Sequence, residues 1–134
     1  MKKDKPSKEG FRILEAFLEA WNRHEIDSIM TFMCDDCIYE ASAGPDSWGR
    51  RFEGKEQVGQ AFAAVWTAIS DARWSDARHW VCDDRGASEW LFTGTRADGT
   101  RIEVCGCDLY TLREGKIAVK STFLKSRVAT PPAK

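Results

Sequence analysis

The chain lacks a long apolar run: nothing in its 134 residues approaches the ~20 apolar residues that a membrane-crossing helix needs. It also lacks net charge. Twenty basic against 21 acidic residues leave −1, and the signs are interspersed, so no basic field is available for nucleic acid. Histidine is scarce, and its two copies, His24 and His79, stand at no ligand spacing. The five cysteines (34, 37, 82, 105, 107) are an odd number, which argues against a disulfide framework. The basic start (Lys2, Lys3, Lys5, Lys8) has no apolar stretch behind it and reads as a solvated tail, not a signal peptide or anchor. Together these shortages point to free thiols in a reducing cytoplasm, with no membrane and no nucleic-acid partner. Cys34-Asp35-Asp36-Cys37 has a metal or redox spacing, and Cys105 and Cys107 share a strand face, but no second CxxC supports them. Buried thiols acting as small apolar groups are expected, and no metal.

What the chain does have is aromatic bulk and two kinds of periodicity. Six tryptophans are many for a chain this short; most are expected in the core, where large aromatics dominate burial, and several are also candidates for pocket walls. From Lys8 to Arg23 the stripe Ile13, Leu14, Phe17, Leu18, Trp21 predicts an amphipathic helix. Ile26, Ile29, Met30 and Met33 predict a short second helix. Cys37 to Ala41 reads as a short strand entering a turn-rich loop, Ala43 to Gly49. Gly54 can cap a third helix with the stripe Val58, Phe62, Val65, Trp66, Ile69. After Asp71 the period falls to two. Trp74–Cys82, Ala87–Thr95, Arg101–Leu112 and Lys116–Lys125 read as successive antiparallel strands, and Thr130-Pro131-Pro132 ends the fold. Helices followed by a strand run predict an α+β domain, a single unit over 1–134 with its ordered core at about 8–126.

Asp108 stands out within this pattern because it places a carboxylate in mid-sheet, which is costly unless the group is paired or used. Arg113-Glu114-Gly115 suits a three-residue loop, which sets Asp108 opposite Lys120 and Tyr110 opposite Ala118. Asp98-Gly99 suits a two-residue turn, which sets Glu89 opposite Asp108. A slip of one residue at that second hairpin replaces Glu89, Leu91 and Thr93 by Trp90 and Phe92. In the first register, two carboxylates and a lysine share one face. One acid then holds a proton while the cation stabilises the other, an arrangement suited to enolisation and aldol-type chemistry. A structural Asp108–Lys120 ion pair is the competing reading.

Two stretches carry a resemblance. Phe52-Glu53-Gly54-Lys55-Glu56-Gln57-Val58 opening the third helix, and Gly106 through Ile117 with its Asp108 and Gly115-Lys116-Ile117 ending, resemble the nuclear-transport-factor-2-like superfamily. Within it they are most similar to SnoaL-type polyketide cyclases and ketosteroid-isomerase-like proteins, over about residues 8–126. The resemblance implies a cone: three helices packed on a curved, mixed but mainly antiparallel sheet, around a blind pocket, commonly as a homodimer. It places Asp108 at the strand aspartate that serves as acid/base in the cyclases. It places Phe17 at the isomerases' oxyanion tyrosine and Ala41, with Glu40 beside it and Asp46 further on, near their general base, so steroid isomerisation is not expected. No histidine stands at the cyclase position, and Lys120 and Glu89 have no isomerase counterpart.

The resulting expectation is a cofactor-independent protein that binds a hydrophobic carbonyl-type small molecule. Asp108, Lys120 and Glu89 are its catalytic candidates for isomerisation or aldol-type cyclisation. Trp21, Tyr39, Trp48, Phe52, Trp66, Tyr110 and Leu124 are candidates for its pocket walls, Trp48 as a lid or dimer contact. Arg50-Arg51 is either solvated or a seat for an anionic group. A non-catalytic ligand-binding or dimerising module of the same fold is the alternative.

Overall fold

The computed structural model describes residues 6–128; Lys2, Lys3 and Lys5 of the basic start, and Thr130-Pro131-Pro132, lie outside the described residues. In chain order the elements are α1 (Lys8–Asn22), α2 (Ile26–Thr31), β1 (Met33–Asp46), β2 (Gly49–Glu53), α3 (Gly54–Ala68), β3 (Arg73–Cys82), β4 (Arg85–Thr95), β5 (Arg101–Arg113) and β6 (Lys116–Leu124). The Ser7 side chain accepts the Gly10 N–H at 2.9 Å and caps α1. The apolar stripe of α1 then buries Leu14, Phe17, Leu18 and Trp21. The six strands form one mixed, unclosed sheet in the order β2-β1-β6-β5-β4-β3. Only β1 and β6 run parallel among these neighbours. Helix α1 lies over β3 and α3 over β1, so among the described residues the helices cover one sheet face and leave the other bare. Among the described residues no helix is long and apolar enough to cross a membrane.

The expected strand Cys37–Ala41 is instead the middle of a longer one. β1 begins at Met33, which therefore leaves the α2 stripe, and runs to Asp46 before returning as β2. The stretch read as a loop is thus a hairpin with a bulge between Ala41 and Asp46. Gly49 makes this closure possible: its φ is +82°, and a Cβ there would lie 1.9 Å from the Ala41 carbonyl oxygen. Turn-rich composition marked the turn correctly and concealed the strands around it.

The two hairpins that set the register exchange the turn types expected of them. Glu114 and Gly115 both have positive φ (51° and 76°) and form a two-residue turn between Arg113 and Lys116. At the other hairpin Arg96 N–H reaches the Thr100 carbonyl at 2.9 Å, so the loop has three residues, and of these Gly99 alone has positive φ. In β4–β5 the pairing therefore moves by one residue, so that Ser88 faces Asp108 and Glu89 faces Cys107. In β5–β6 the shorter turn, plus a bulge that leaves Ala118 without an opposite residue, moves it by two. Asp108 thus pairs with Thr122, and Lys120 with Tyr110. A shift of two preserves the face and a shift of one reverses it, so Lys120 stays beside Asp108 while Glu89 leaves.

Candidate functional site

Register assembles the site as rows across the covered face. One row runs His79, Ser88, Asp108, Thr122 across β3, β4, β5 and β6. The next runs Gly86, Tyr110, Lys120, Tyr39 across β4, β5, β6 and β1. A third sets Trp90 opposite Gly106 and Gly106 opposite Leu124. Gly106 has no side chain, and a Cβ there would lie 2.6 Å from the Trp90 ring. The indole therefore lies across the strand and reaches the carboxylate one row away.

Asp108 is 2% exposed and Lys120 6%. Four donors converge on the carboxylate. Trp90 Nε1–H donates to Oδ2 at 3.0 Å and the Tyr110 hydroxyl at 3.2 Å. Thr122 Oγ1 donates to Oδ1 at 2.5 Å, and Lys120 Nζ lies 3.0 Å from the same oxygen. Lys120 also donates to Thr122 Oγ1 at 2.8 Å. Its ammonium sits 4.9 Å from the Tyr39 ring, 5.1 Å from Trp21 and 5.5 Å from Phe62, so aromatic faces replace part of the water it has lost. Burial first, and the Asp108 charge second, push the Tyr110 hydroxyl well above the ordinary phenol range, which keeps it a donor.

These groups form the polar end of a cavity of about 230 Å³ between α1, α3 and the sheet. Apart from Ser42 its other walls are mainly apolar, among them Leu18, Val65, Ile69, Trp74 and Phe92. Of the residues expected at a pocket, Trp21, Tyr39, Tyr110 and Leu124 line this cavity together with Asp108 and Lys120. Trp66 packs behind it, 5.1 Å from Trp21 and stacked on His24. Phe52 stacks on the far side of Tyr39, and Trp48 stands 44% exposed at the β1–β2 turn with Arg51 over its ring. Arg51 also holds Glu40 at 2.6 Å, so its charge is already matched. Glu89 is exposed on the bare face, opposite Cys107 and Arg78, and the expected two-carboxylate arrangement gives way to one carboxylate with a cation. Phe17 meets Tyr110 edge-on and brings no hydroxyl.

Trp90, Thr122, Trp74 and Phe92 are site residues that sequence reasoning left out. The first and last were visible as the one-residue-slipped alternative; Thr122 follows from Lys120 by strand periodicity, two residues on. His24 meets the Ala72 carbonyl at 2.8 Å, away from the cavity. Cys34 and Cys37 are buried, and burial raises the Cys37 thiol above its ordinary range. Among the described residues no group of three or more His, Cys, Asp or Glu side chains is placed to hold a metal.

With the geometry in view, similarity to known proteins takes a definite form. The family model of the SnoaL-like domain matches residues 14–120. No curated protein matches the chain. Among solved structures, a protein from Xanthomonas campestris pv. campestris classed as a polyketide cyclase is 18% identical, with a TM-score of 0.77 over 87% of this chain and 90% of that one. A ketosteroid isomerase-like fold from Catenulispora acidiphila, in complex with trimethylamine, is 20% identical, with a TM-score of 0.73 over 83% of each chain. TerC co-crystallized with polyporic acid is 18% identical, with a TM-score of 0.74 over 88% of this chain and 92% of that one. At such identities the likeness is one of fold.

Proposed function

We propose, since the chain belongs to the SnoaL-like domain family, that it is a single-domain protein binding a compact hydrophobic carbonyl compound and moving a proton on it. The observation that carries this reading is the buried Asp108–Lys120 pair at the polar end of an apolar-walled cavity. A cavity of about 230 Å³ falls below the ~300–1,000 Å³ usual for drug-sized ligands, so a mono- or bicyclic molecule fits the reading better than a steroid. The substrate carbonyl takes over donors now given to Asp108, from Lys120 and Tyr110, which frees a carboxylate lone pair. Asp108 then removes a proton from the carbon beside the carbonyl: the C–H bond breaks, an Asp108 O–H forms, and the enolate oxygen keeps its donors. Return of that proton to another carbon isomerises the substrate; alternatively the enolate carbon attacks a second carbonyl, the C=O π bond opens to an alkoxide, and that alkoxide takes the Asp108 proton, which closes a ring and restores the carboxylate. The chemistry calls on no cofactor.

The test is deuterium uptake from D₂O into 1-tetralone and monocyclic ketones, followed by proton NMR. Protein-dependent label at the carbon next to the carbonyl is expected. Uptake no faster than buffer across such a series would overturn the catalytic reading. Thermal stabilisation by these ketones without exchange would favour a binding module instead. That second reading has its own support, since four donors already satisfy the carboxylate.

The bare sheet face supports a homodimer as part of the proposal. Trp80 is 52% exposed, Leu109 40% and Phe123 51%, and all point away from the helices, a face suited to a second copy of the chain. Light scattering is expected to give twice the chain mass, and Leu109→Asp a monomer. An unchanged mass in that variant would remove this face from the interface. Exposed thiols at Cys82 and Cys105 suit a reducing, cytoplasmic setting.

A further inference from the structure

Lys120 is only 6% exposed, yet it lines the cavity of about 230 Å³ together with Asp108, Tyr110 and Thr122. A buried primary amine beside an acid/base, in a largely apolar cavity sized for a compact carbonyl compound, supplies the parts of a covalent carbonyl site. The nitrogen also has a hydrogen-bonded way to lose its proton. Lys120 Nζ donates to Thr122 Oγ1 at 2.8 Å, and Thr122 Oγ1 donates to Asp108 Oδ1 at 2.5 Å. One proton moved along these two bonds removes both buried charges at once and strands no isolated ion. We infer that Lys120 is a nucleophile that binds its carbonyl substrate covalently, as an imine.

Every step balances on groups already in place. Lys120 gives a proton to Thr122 Oγ1 as Thr122 gives its own to Asp108, which leaves an amine, a hydroxyl and a carboxylic acid. The Nζ lone pair attacks the carbonyl carbon: the N–C bond forms, the C=O π pair moves to oxygen, and that oxygen takes the Asp108 proton. Asp108 recovers a proton from the now cationic nitrogen through Thr122, which leaves a neutral carbinolamine. The same acid then protonates the carbinolamine hydroxyl. The C–O bond breaks, water departs, and the nitrogen lone pair forms the C=N bond. The net change is one water released and an iminium where the ammonium stood, opposite an unchanged carboxylate. Proton removal by Asp108 from the neighbouring carbon then feeds electrons into a cationic C=N, a better sink than a neutral carbonyl. The surroundings suit that cation. Nζ stands 4.9 Å from the Tyr39 ring, 5.1 Å from Trp21 and 5.5 Å from Phe62, and these faces attract an iminium as they attract an ammonium. Leu18, Val65 and Ile69 in the cavity wall hold back the water that would hydrolyse it.

This role for Lys120 rests on the cavity being a carbonyl site, as proposed above, but the two can fail separately. The intact protein is incubated with cyclohexanone and sodium cyanoborohydride, whose hydride reduces an iminium to a stable secondary amine, and its peptides are weighed by mass spectrometry. Lys120 is expected to gain the mass of the ketone less its oxygen, on the order of ten-fold faster than the exposed Lys116 and Lys125. Lys120→Arg keeps a cation beside Asp108 but offers no nucleophilic amine. Its deuterium uptake into cyclohexanone is expected to fall by about ten-fold or more, whereas a lysine acting by charge alone would be replaced by arginine without that loss. Deuterium uptake by the parent protein, with Lys120 labelled no faster than Lys116 and Lys125, would overturn the inference and leave enolisation by Asp108 standing. An adduct on Lys120 without deuterium uptake would uphold the imine and sink the proton transfer.

Discussion

Asp108→Asn is expected to slow proton exchange on the ketone probe by about 10²–10⁴-fold, the usual contribution of a positioned general base. The substitution keeps the shape of the side chain. The Asn carbonyl can still accept from Lys120 and Thr122, now at 3.0 and 2.5 Å from the carboxylate. The amide nitrogen meets Tyr110, whose hydroxyl can turn to accept, and crowds the Trp90 N–H, which loses its acceptor. The buried Lys120 ammonium also loses its counter-charge, so a stability loss of about 3–5 kcal/mol should accompany the loss of exchange, with circular dichroism unchanged. A folded Asp108→Asn protein that exchanges at the parent rate would remove Asp108 as the base and return the cluster to a structural role.

Lys120→Met is expected to lower unfolding free energy in urea by about 3–5 kcal/mol, the range for breaking a buried ion pair from one side. Methionine fills much of the lysine stem but leaves the carboxylate with three neutral donors and no cation. The aromatic faces of Trp21, Tyr39 and Phe62 then meet a thioether, which they tolerate, so the penalty comes mainly from the uncompensated charge. Adding Asp108→Asn removes that charge, and the double variant is expected to regain much of the loss, a coupling of the kind a double-mutant cycle isolates. Unchanged stability in both single variants would show that the pair does no structural work. Loss of exchange in Asp108→Asn with only a small stability change would assign the pair to function.

Element types were legible in the sequence because they follow from side-chain spacing. Leu14, Phe17, Leu18 and Trp21 recur on one helical face and are buried on it, as are Val58 and Phe62 on α3. The hairpin registers were not legible to one residue, because Asp98-Gly99 and Glu114-Gly115 are the same kind of turn signal. One resolves into a three-residue loop and the other into a two-residue turn, and only the surrounding pairing decides. That ambiguity exchanged Glu89 for Trp90 at the site. It spared Asp108 and Lys120 because their displacement was by an even number of residues. β2 escaped notice because its five residues include the exposed Arg50 and Arg51 and lie at a sheet edge, with no apolar alternation to announce them. The cavity wall Trp74 faces Phe92 across β3 and β4 and became visible only once that pairing was known.

The parallel seam between β1 and β6 governs how the molecule must come together. β6 is the last strand of the described fold, yet it inserts between β1 and β5, with Tyr39 paired to Lys120 across some eighty positions of chain. Before it docks, the sheet exists as two separate pieces, β2-β1 and β5-β4-β3, each presenting a raw edge where the centre will be. Asp108 lies on one of those pieces without its cation. Contacts this distant in sequence close late and slowly, so a nascent chain halted before Lys116 carries two open edges and an unneutralised carboxylate between them. Such a chain is a natural client for a chaperone until its final strand seals both edges at once.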